Sequence, residues 1–523
     1  MRPRVWSPPV ELSEAEQAIV KRIKRAKLFV FLRQERHQLF DAAFQEELAA
    51  LYKETDVGQP PIPPAQLALA SLLQAYTRVS DDEVIECTTM DRRWQLVLDC
   101  LDATKPPFSK ATFVSFRQRL VASQADRRLL ERSLDRAKAS GLFGPRQLRA
   151  VLDSSPLWGA GRVEDSYNLL GHALKDALRV IARQQGRGLA DTASELGVEL
   201  ALDRPLKAVL DLNWDQPDAR AVALETVLDA LDAVNLALDT QPELLAAAPE
   251  ALVPLAAAAQ VRAQDVTTSE SGTPVLRQGV APNRRISLHD AAMRHGRKHR
   301  SQRVDGYKRH VLRDLDSGLV RAVGVTPANE PEASVTDSLS LDLAQQEGEL
   351  GELHIDRAYL SSRWVRERAE TTAIYCKAWP VRNGGRFEKT AFVLDWSEQT
   401  IGCPQGVVLP FTPGAQVQFP KEKCGSCPLR ERCTTSRNGR SVSIHPDERL
   451  LQELRERQLT PEGRAKLRER VQVEHSLAHI GHWQGDRARY HGVRKNLFDL
   501  RRVAVVHNLH VLMRQRAEPA RAA

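Results

Sequence analysis

The chain has no run of about 18 consecutive apolar residues, so no membrane-spanning helix is expected. Nor does its start read as a signal peptide, because residues 1–10 are short and Pro-rich and a charged segment follows. No internal repeat is visible, and the one biased tract is an Ala-rich patch at 245–260, so an array of like units is not expected. A disulfide framework is equally unpromising. The seven cysteines are odd in number and four crowd into one short stretch, which fits a reducing cytoplasm better than an oxidised scaffold. What is present is enough apolar material for true cores, 42% of 523 residues, and a length that suggests two to four domains.

Charge is concentrated rather than large. The formal net charge is +8, but residues 463–523 carry 13 Lys/Arg against 5 Asp/Glu, and residues 284–309 carry 9 against 2. Two basic blocks on an otherwise acidic chain point to a polyanionic partner, of which nucleic acid is the usual one. In the first block Arg294, Arg297, Lys298, Arg300 and Lys308 are candidate phosphate contacts, with His289, His295 and His299 interleaved. A solvated charged loop is the plainer alternative. Arg487, Arg489 and Lys495 are candidates in the second block.

Apolar spacing predicts helix over 11–54, a breaker at Gln59–Pro64, and short helices near Leu67–Tyr76, Val84–Met90 and Arg92–Leu101. Ser80 and Glu83 have the spacing of a capping box. Short helices with tight turns suit a helix-turn-helix and also a plain bundle. After Arg146 the pattern changes. Gln147–Leu152 is a strand-like run ending on Asp153, and a long helical stretch covers Leu169 to about Gln260. Strands are predicted at Gly306–Arg313, Leu319–Thr326 and Leu353–Asp356, the last ending on its acid, with a fifth at Thr372–Ala378. Asn329–Gln346 reads as helix, 379–446 as irregular, Pro461–Gly481 as one helix containing Glu474, and Phe498–Met513 as a final apolar helix.

Asp153, Asp356 and Glu474 form the most suggestive acidic set. Phosphodiester chemistry needs charge stabilisation at the attacking and the leaving oxygen, and two divalent ions roughly 3.5–4 Å apart supply it. Hard ions such as Mg²⁺ or Mn²⁺ prefer carboxylate oxygens. Two strand-end Asp residues and one helical Glu suit that task, and Arg470 shares the helix face of Glu474. Asp305, Asp314 and Asp316 are rivals, although a tight turn accounts for the last two. His475 and His479 are spaced for DNA contact or packing, and their order excludes a zinc-protease motif. Trp158 and Trp483 suit base stacking or a core.

Cys403, Cys424, Cys427 and Cys433 lie within one irregular segment, with a C-x-x-C pair among them. Structural zinc suits four thiolates that tether a small segment. An iron–sulfur cluster and four free thiols are the alternatives. Cys87, Cys100 and Cys376 sit in apolar surroundings and read as core residues.

Two longer stretches carry a family resemblance. RISLHDAAMRHGRKHRSQRVDGYKRH at 285–310 and VEHSLAHIGHWQGDRARYHGVRKNLFDLRRVAVVHNLHVL at 473–512 resemble blocks of bacterial insertion-sequence transposases of the DDE class. Ile355-Asp356-Arg357-Ala358-Tyr359 and Val151-Leu152-Asp153-Ser154-Ser155 resemble the settings of their second and first acids. Helical residues 37–120 and the cysteine cluster also resemble such enzymes. The resemblance implies an α/β, ribonuclease-H-like mixed-sheet core in which Asp153, Asp356 and Glu474 hold two metal ions. It further implies binding of double-stranded transposon ends, cleavage, joining to target DNA, and a dimer or larger assembly. A transposase-derived DNA-binding protein without catalysis is the alternative. Three positions depart from the pattern: Ala358 replaces Gly, Leu467 replaces Tyr, and Gly481 replaces Lys. The expected organisation is a helical DNA-binding domain at 1–140, a core at 145–168 and 284–378, a helical insert at 169–283, a cysteine-rich insert at 379–446, and a C-terminal catalytic helix region at 447–523.

Overall fold

The computed structural model describes residues 2–54, 58–141, 147–198, 200, 210, 212–299, 301–346 and 349–517. Arg300 and part of the helical stretch at 169–260 lie outside these residues. Mixed α/β architecture is plain: one large sheet, packed by helices, with a helical N-terminal region ahead of it.

Six strands build that sheet: β1 (Leu148–Trp158), β2 (Arg294–His299), β3 (Gln302–Asp314), β4 (Val320–Pro327), β5 (Leu350–Ile355) and β6 (Ala373–Tyr375). β1 is central. β3 lies antiparallel on one side of it; β5 lies parallel on the other, followed by parallel β6. The far edge of β3 is shared, with β2 along Gln302–Gly306 and β4 along Tyr307–Arg313. Where β1 and β3 converge, their backbones come so close that a Cβ at Gly306 would sit 2.3 Å from the Gly159 nitrogen. Only glycine fits there.

The structure corrects several sequence-derived boundaries. β1 does not end on Asp153 but runs five residues further, to Trp158. Ser154, Ser155 and Pro156 dilute the apolar alternation, yet antiparallel β3 keeps the backbone extended. The basic block is no loop. Arg294–His299 forms a hairpin with β3, because backbone pairing is available whatever charges the side chains carry. The helix read at Pro461–Gly481 is two, Pro461–Glu469 and Val471–Gln484, breaking at Arg470. The strand expected at Thr372–Ala378 is only Ala373–Tyr375. Nor is the cysteine segment irregular: two small sheets enclose a compact apolar core around Phe392, Ile401, Phe419 and Val442. Its strands are three residues long, too short for an alternation to show.

Between β1 and β2 the chain detours through helices at Ser166–Gln185, Leu189–Glu195, Pro217–Thr240, Pro242–Ala247 and Leu252–Asp265, which share a core of their own. In the N-terminal region Ser80 and Glu83 do form the capping box. The Asp81–Met90 helix follows Pro64–Thr77 after a three-residue turn, but it opens with Asp81, Asp82 and Glu83, acids that would repel phosphates at a recognition helix.

One long helix, Val493–Ala517, ties the parts together. It packs on the N-terminal helices Pro64–Thr77 and Asp126–Ala139, on β4, and on the Val471–Gln484 helix. Several of its buried polar side chains bridge these parts. Arg502 donates to Gln74 Oε1 at 2.9 Å and Arg501 reaches Asp126 and Asp342 at 3.0 and 2.7 Å. Asn508 accepts from the Val320 amide at 2.8 Å and donates to the Val320 carbonyl at 3.0 Å, closing the exposed end of β4. Replacing Asn508 by Ala strands two buried backbone groups. Urea denaturation should therefore show Asn508→Ala destabilised by about 2–4 kcal/mol, with native secondary structure retained.

Candidate active site

The parallel register pairs Leu152 with Ile355, so the next residue on each strand is an acid: Asp153 on β1 and Asp356 just past β5. β5 ends there, while β1 continues. Farther along, the free edge of β1 is covered again, where Trp158 donates to the Asp486 carbonyl at 2.8 Å and accepts from Ala488 at 2.6 Å. Between those two supports the sheet edge lies open, and a cleft of about 490 Å³ forms over it.

Asp153, Asp356 and Glu474 all line this cleft, together with Arg470, Glu332, Arg297, Lys298 and Lys308. Arg470, between the two helices, reaches Asp153 Oδ2 with its guanidinium at 2.8 Å and stands 3.9 Å from Glu474 Oε1. Asp153 also accepts from the Ser154 amide at 2.8 Å, and Asp356 from the Arg357 amide at 2.6 Å. Asp356 and Glu474 are exposed, the Glu474 side chain at 58%, against 15% for that of Asp153. The three carboxylates share the cleft without crowding: among the described residues no ligand atoms from these acids form a group of three within 4.8 Å.

Burial holds the Asp153 carboxyl above its ordinary value, and the charges of Asp356 and Glu332 push the same way against Arg470. In the folded protein its charge therefore costs stability at neutral pH, and costs nothing once pH falls below the ordinary aspartate value of 3.8. Two nearby carboxylates, one partly desolvated, make a donor set with an affinity for hard cations. These acids are the residues that could hold such ions. Beneath them lies a buried polar chain. Tyr359 meets His310 Nδ1 at 2.8 Å, and His310 Nε2 meets Thr326 Oγ1 at 2.9 Å. Burial drives the His310 imidazole down to about 3, so it is neutral.

Other candidates separate clearly. Arg294 turns away, to Asn283 and to the carbonyls of Ala291 and Met293. Arg487 donates to the Gly159 carbonyl at 3.0 Å and Arg489 to that of Val79 at 2.7 Å, so both brace the fold. Lys495 is exposed on the C-terminal helix, away from the residues lining the cleft. Asp305 pairs with His295 at 2.6 Å, Asp314 accepts from Ser317 Oγ within its turn, and Asp316 accepts from Arg149. Trp483 and His479 are packed against His507 and His510, whereas Trp158 is 39% exposed. At Gly481, where a Lys was expected, Arg309 approaches from β3, but it is buried and bonded to Ser155, Gln484 and Gly485. Glu332 escaped sequence reading altogether, because no local pattern marks an acid in the turn after a strand.

Cys403, Cys424, Cys427 and Cys433 line one small cavity. Burial raises the Cys433 thiol, and the other three sulfurs raise it further. The Arg440 amide donates to Cys424 Sγ at 3.5 Å. Among the described residues no three of these sulfurs lie within 4.8 Å of one another. Cys100 and Cys376 are buried core residues and Cys87 is half-buried. A separate trio, Glu352, His354 and Glu469, does meet that limit. It is already neutralised: burial would raise Glu352, but hydrogen bonds from Arg149, Lys466 and His354 hold it at about 2.

An acid held above its solution value is stabilised by losing its charge. Calorimetry in EDTA should therefore find Asp153→Asn with a higher Tm than wild type at pH 7, the gain shrinking as pH approaches 3.8. An equal or lower Tm at pH 7 would remove the cost assigned to this carboxylate.

No curated protein and no solved structure matches the chain. Two family models do. Residues 21–119 match a transposase domain (DUF772), and residues 403–513 match a transposase DDE domain that takes in the four clustered cysteines and Glu474, although not Asp153 or Asp356. Matches to transposase families in both its N-terminal and its C-terminal parts support kinship of the chain with the insertion-sequence DDE transposases.

Proposed function

We propose that the chain binds the inverted-repeat ends of its element, cleaves DNA there and joins the ends to a target, with Asp153, Asp356 and Glu474 as ligands of two Mg²⁺ or Mn²⁺ ions. The observation that carries this reading is the cleft itself: three acids separated by hundreds of residues line one opening, with Arg297, Lys298 and Lys308 beside them. The strand pattern supports a ribonuclease-H-like core, since β4, β3, β1, β5 and β6 follow one another with the first three antiparallel and the last two parallel to β1. In this reading residues 1–140 form the helical DNA-binding domain and the two inserts decorate the core.

Bound ions would stabilise charge on the attacking and leaving oxygens. The chain's own groups do the rest. Arg470 orients Asp153 through its 2.8 Å contact and places a positive charge beside the reacting phosphate. Arg297 and Lys298 draw the backbone into the cleft, with counterion release as the driving term. Arg300 is a further candidate contact outside the described residues. Because the chemistry must occur at two ends of one element, a dimer or larger assembly on paired ends is part of the proposal.

Supercoiled plasmid incubated with Mn²⁺ tests the reading directly. Wild type should nick it and Asp153→Asn should lose the activity by at least about 10³-fold while binding DNA as before. Arg297→Ala with Lys298→Ala should flatten the salt dependence of binding by about one slope unit per lost phosphate contact. DNA binding without any metal-dependent nicking would leave the alternative, a transposase-derived binding protein.

The same proposal extends to zinc. Four cysteines around one cavity, with an amide aimed at Cys424 Sγ, suit a structural Zn²⁺ that draws the sulfurs together. One equivalent of zinc should copurify, and Cys424→Ser should lose it and expose 380–446 to protease while the rest stays folded. Metal analysis that finds neither zinc nor iron would end this part of the reading.

A further inference from the structure

We propose that Glu332 is a positioning residue for the reaction: it holds the Lys308 ammonium over the cleft, so that Lys308 and Arg470 grip the reacting phosphate from opposite walls. The inference rests on the nuclease reading of this cleft.

The two walls follow from strand register. Directly opposed residues of antiparallel strands share a face, and successive residues alternate. Asp153 opposes Val311, and Ser155 opposes Arg309, to which it is bonded at 2.7 Å. That face carries the Val471–Gln484 helix, hence Glu474 and Arg470. Lys308 opposes Pro156 and so belongs to the other face. Glu332 lies on that side too, in the turn that follows β4 and precedes the Val335–Leu343 helix. Both residues nevertheless line the cleft, because the free edge of β1 lets it open to either side.

Lys308 is restrained at two points. Its ammonium donates to the Glu330 carbonyl at 2.8 Å and stands 3.8 Å from Glu332 Oε1. Both side chains are mostly shielded, at 18% and 21% exposure, so the pair is less screened than a surface ion pair. A lysine alone is a flexible point charge; a fixed carboxylate and a carbonyl beside it limit where the ammonium can go. Glu332 is near enough to act on the acids as well, since its charge raises both Asp153 and Tyr359. Its orientation also raises a rival role, that of a fourth carboxylate ligand, and the test separates the two.

The test uses the full chain, supercoiled plasmid and Mn²⁺ alone as probes. Lys308→Met should lower the nicking rate about 100-fold, and Glu332→Gln about 10-fold or more, mainly through kcat. Glu332→Asp should recover part of the loss. The double variant should be no slower than Lys308→Met, because removing the anchor matters only while the lysine is present. Calorimetric Mn²⁺ affinity without DNA should be unchanged in Glu332→Gln. Multiplicative losses in the double variant, or an unaffected rate in Glu332→Gln, would overturn the coupling. Weakened Mn²⁺ binding would overturn it in favour of a ligand role. If wild type fails to nick at all, the nuclease reading falls and takes this inference with it; if wild type nicks and the cycle is additive, only the coupling falls.

Discussion

The pairing of β1 with β5 is the constraint on which the site depends. Five register pairs, ending at Leu152 and Ile355, bring two like charges side by side without consulting them. The apolar residues beneath enforce it: Leu152, Leu312, Leu353, Ile355 and Tyr359 are fully or almost fully buried in one cluster. Burying each such side chain stabilises by about 1.5–3 kcal/mol. That sum far exceeds the cost of one poorly solvated carboxylate, so the repulsion is carried by the fold rather than relieved by it. Arg470 offsets part of it, and the remainder is the electrostatic demand that a cation would satisfy.

The third acid is placed by different means. Glu474 stands on a helix whose position follows from Val473 against Val151 below and from the long C-terminal helix above. That C-terminal helix is in turn locked to the N-terminal region by Asp126, which takes Arg494 and Arg501 together, while Arg501 also reaches Asp342 behind the sheet. Removing one partner of such a buried group typically costs about 3–5 kcal/mol. The N-terminal helices and the large sheet are therefore coupled mechanically, through ion pairs whose carboxylates are buried. DNA bound on the N-terminal helices would load the same helix that holds Glu474 in place.

How much of this was legible in the sequence depended on whether local pattern and local role agreed. Leu353 and Ile355 alternate up to the acid, and the strand that holds them ends beside it, although it begins three residues earlier, at Leu350. Glu474 sits in a helical period and is helical. β1 was misread because Ser154, Ser155 and Pro156 serve the cleft, and residues chosen for an opening do not keep a buried alternation. The basic hairpin went unread for the converse reason, since its charges hid a backbone pairing that side-chain period cannot report. Arg294 and Arg297 looked equivalent in sequence. Their strand sends one into a loop and the other to the cleft, a distinction that exists only in three dimensions.

Arg470 shows how the acids of the cleft come to differ. Its backbone is helical and it stands four residues before Glu474, on the same face. It nevertheless makes its shorter contact, 2.8 Å, with Asp153 and leaves Glu474 at 3.9 Å. Glu474 consequently keeps an open carboxylate, while the more buried Asp153 receives the compensating charge. The two acids differ in exposure by a factor of nearly four, and the single cation goes to the one that water serves least. Arg470 thus serves both acids unequally, holding Asp153 closely where water is scarce and Glu474 more loosely where water already reaches it.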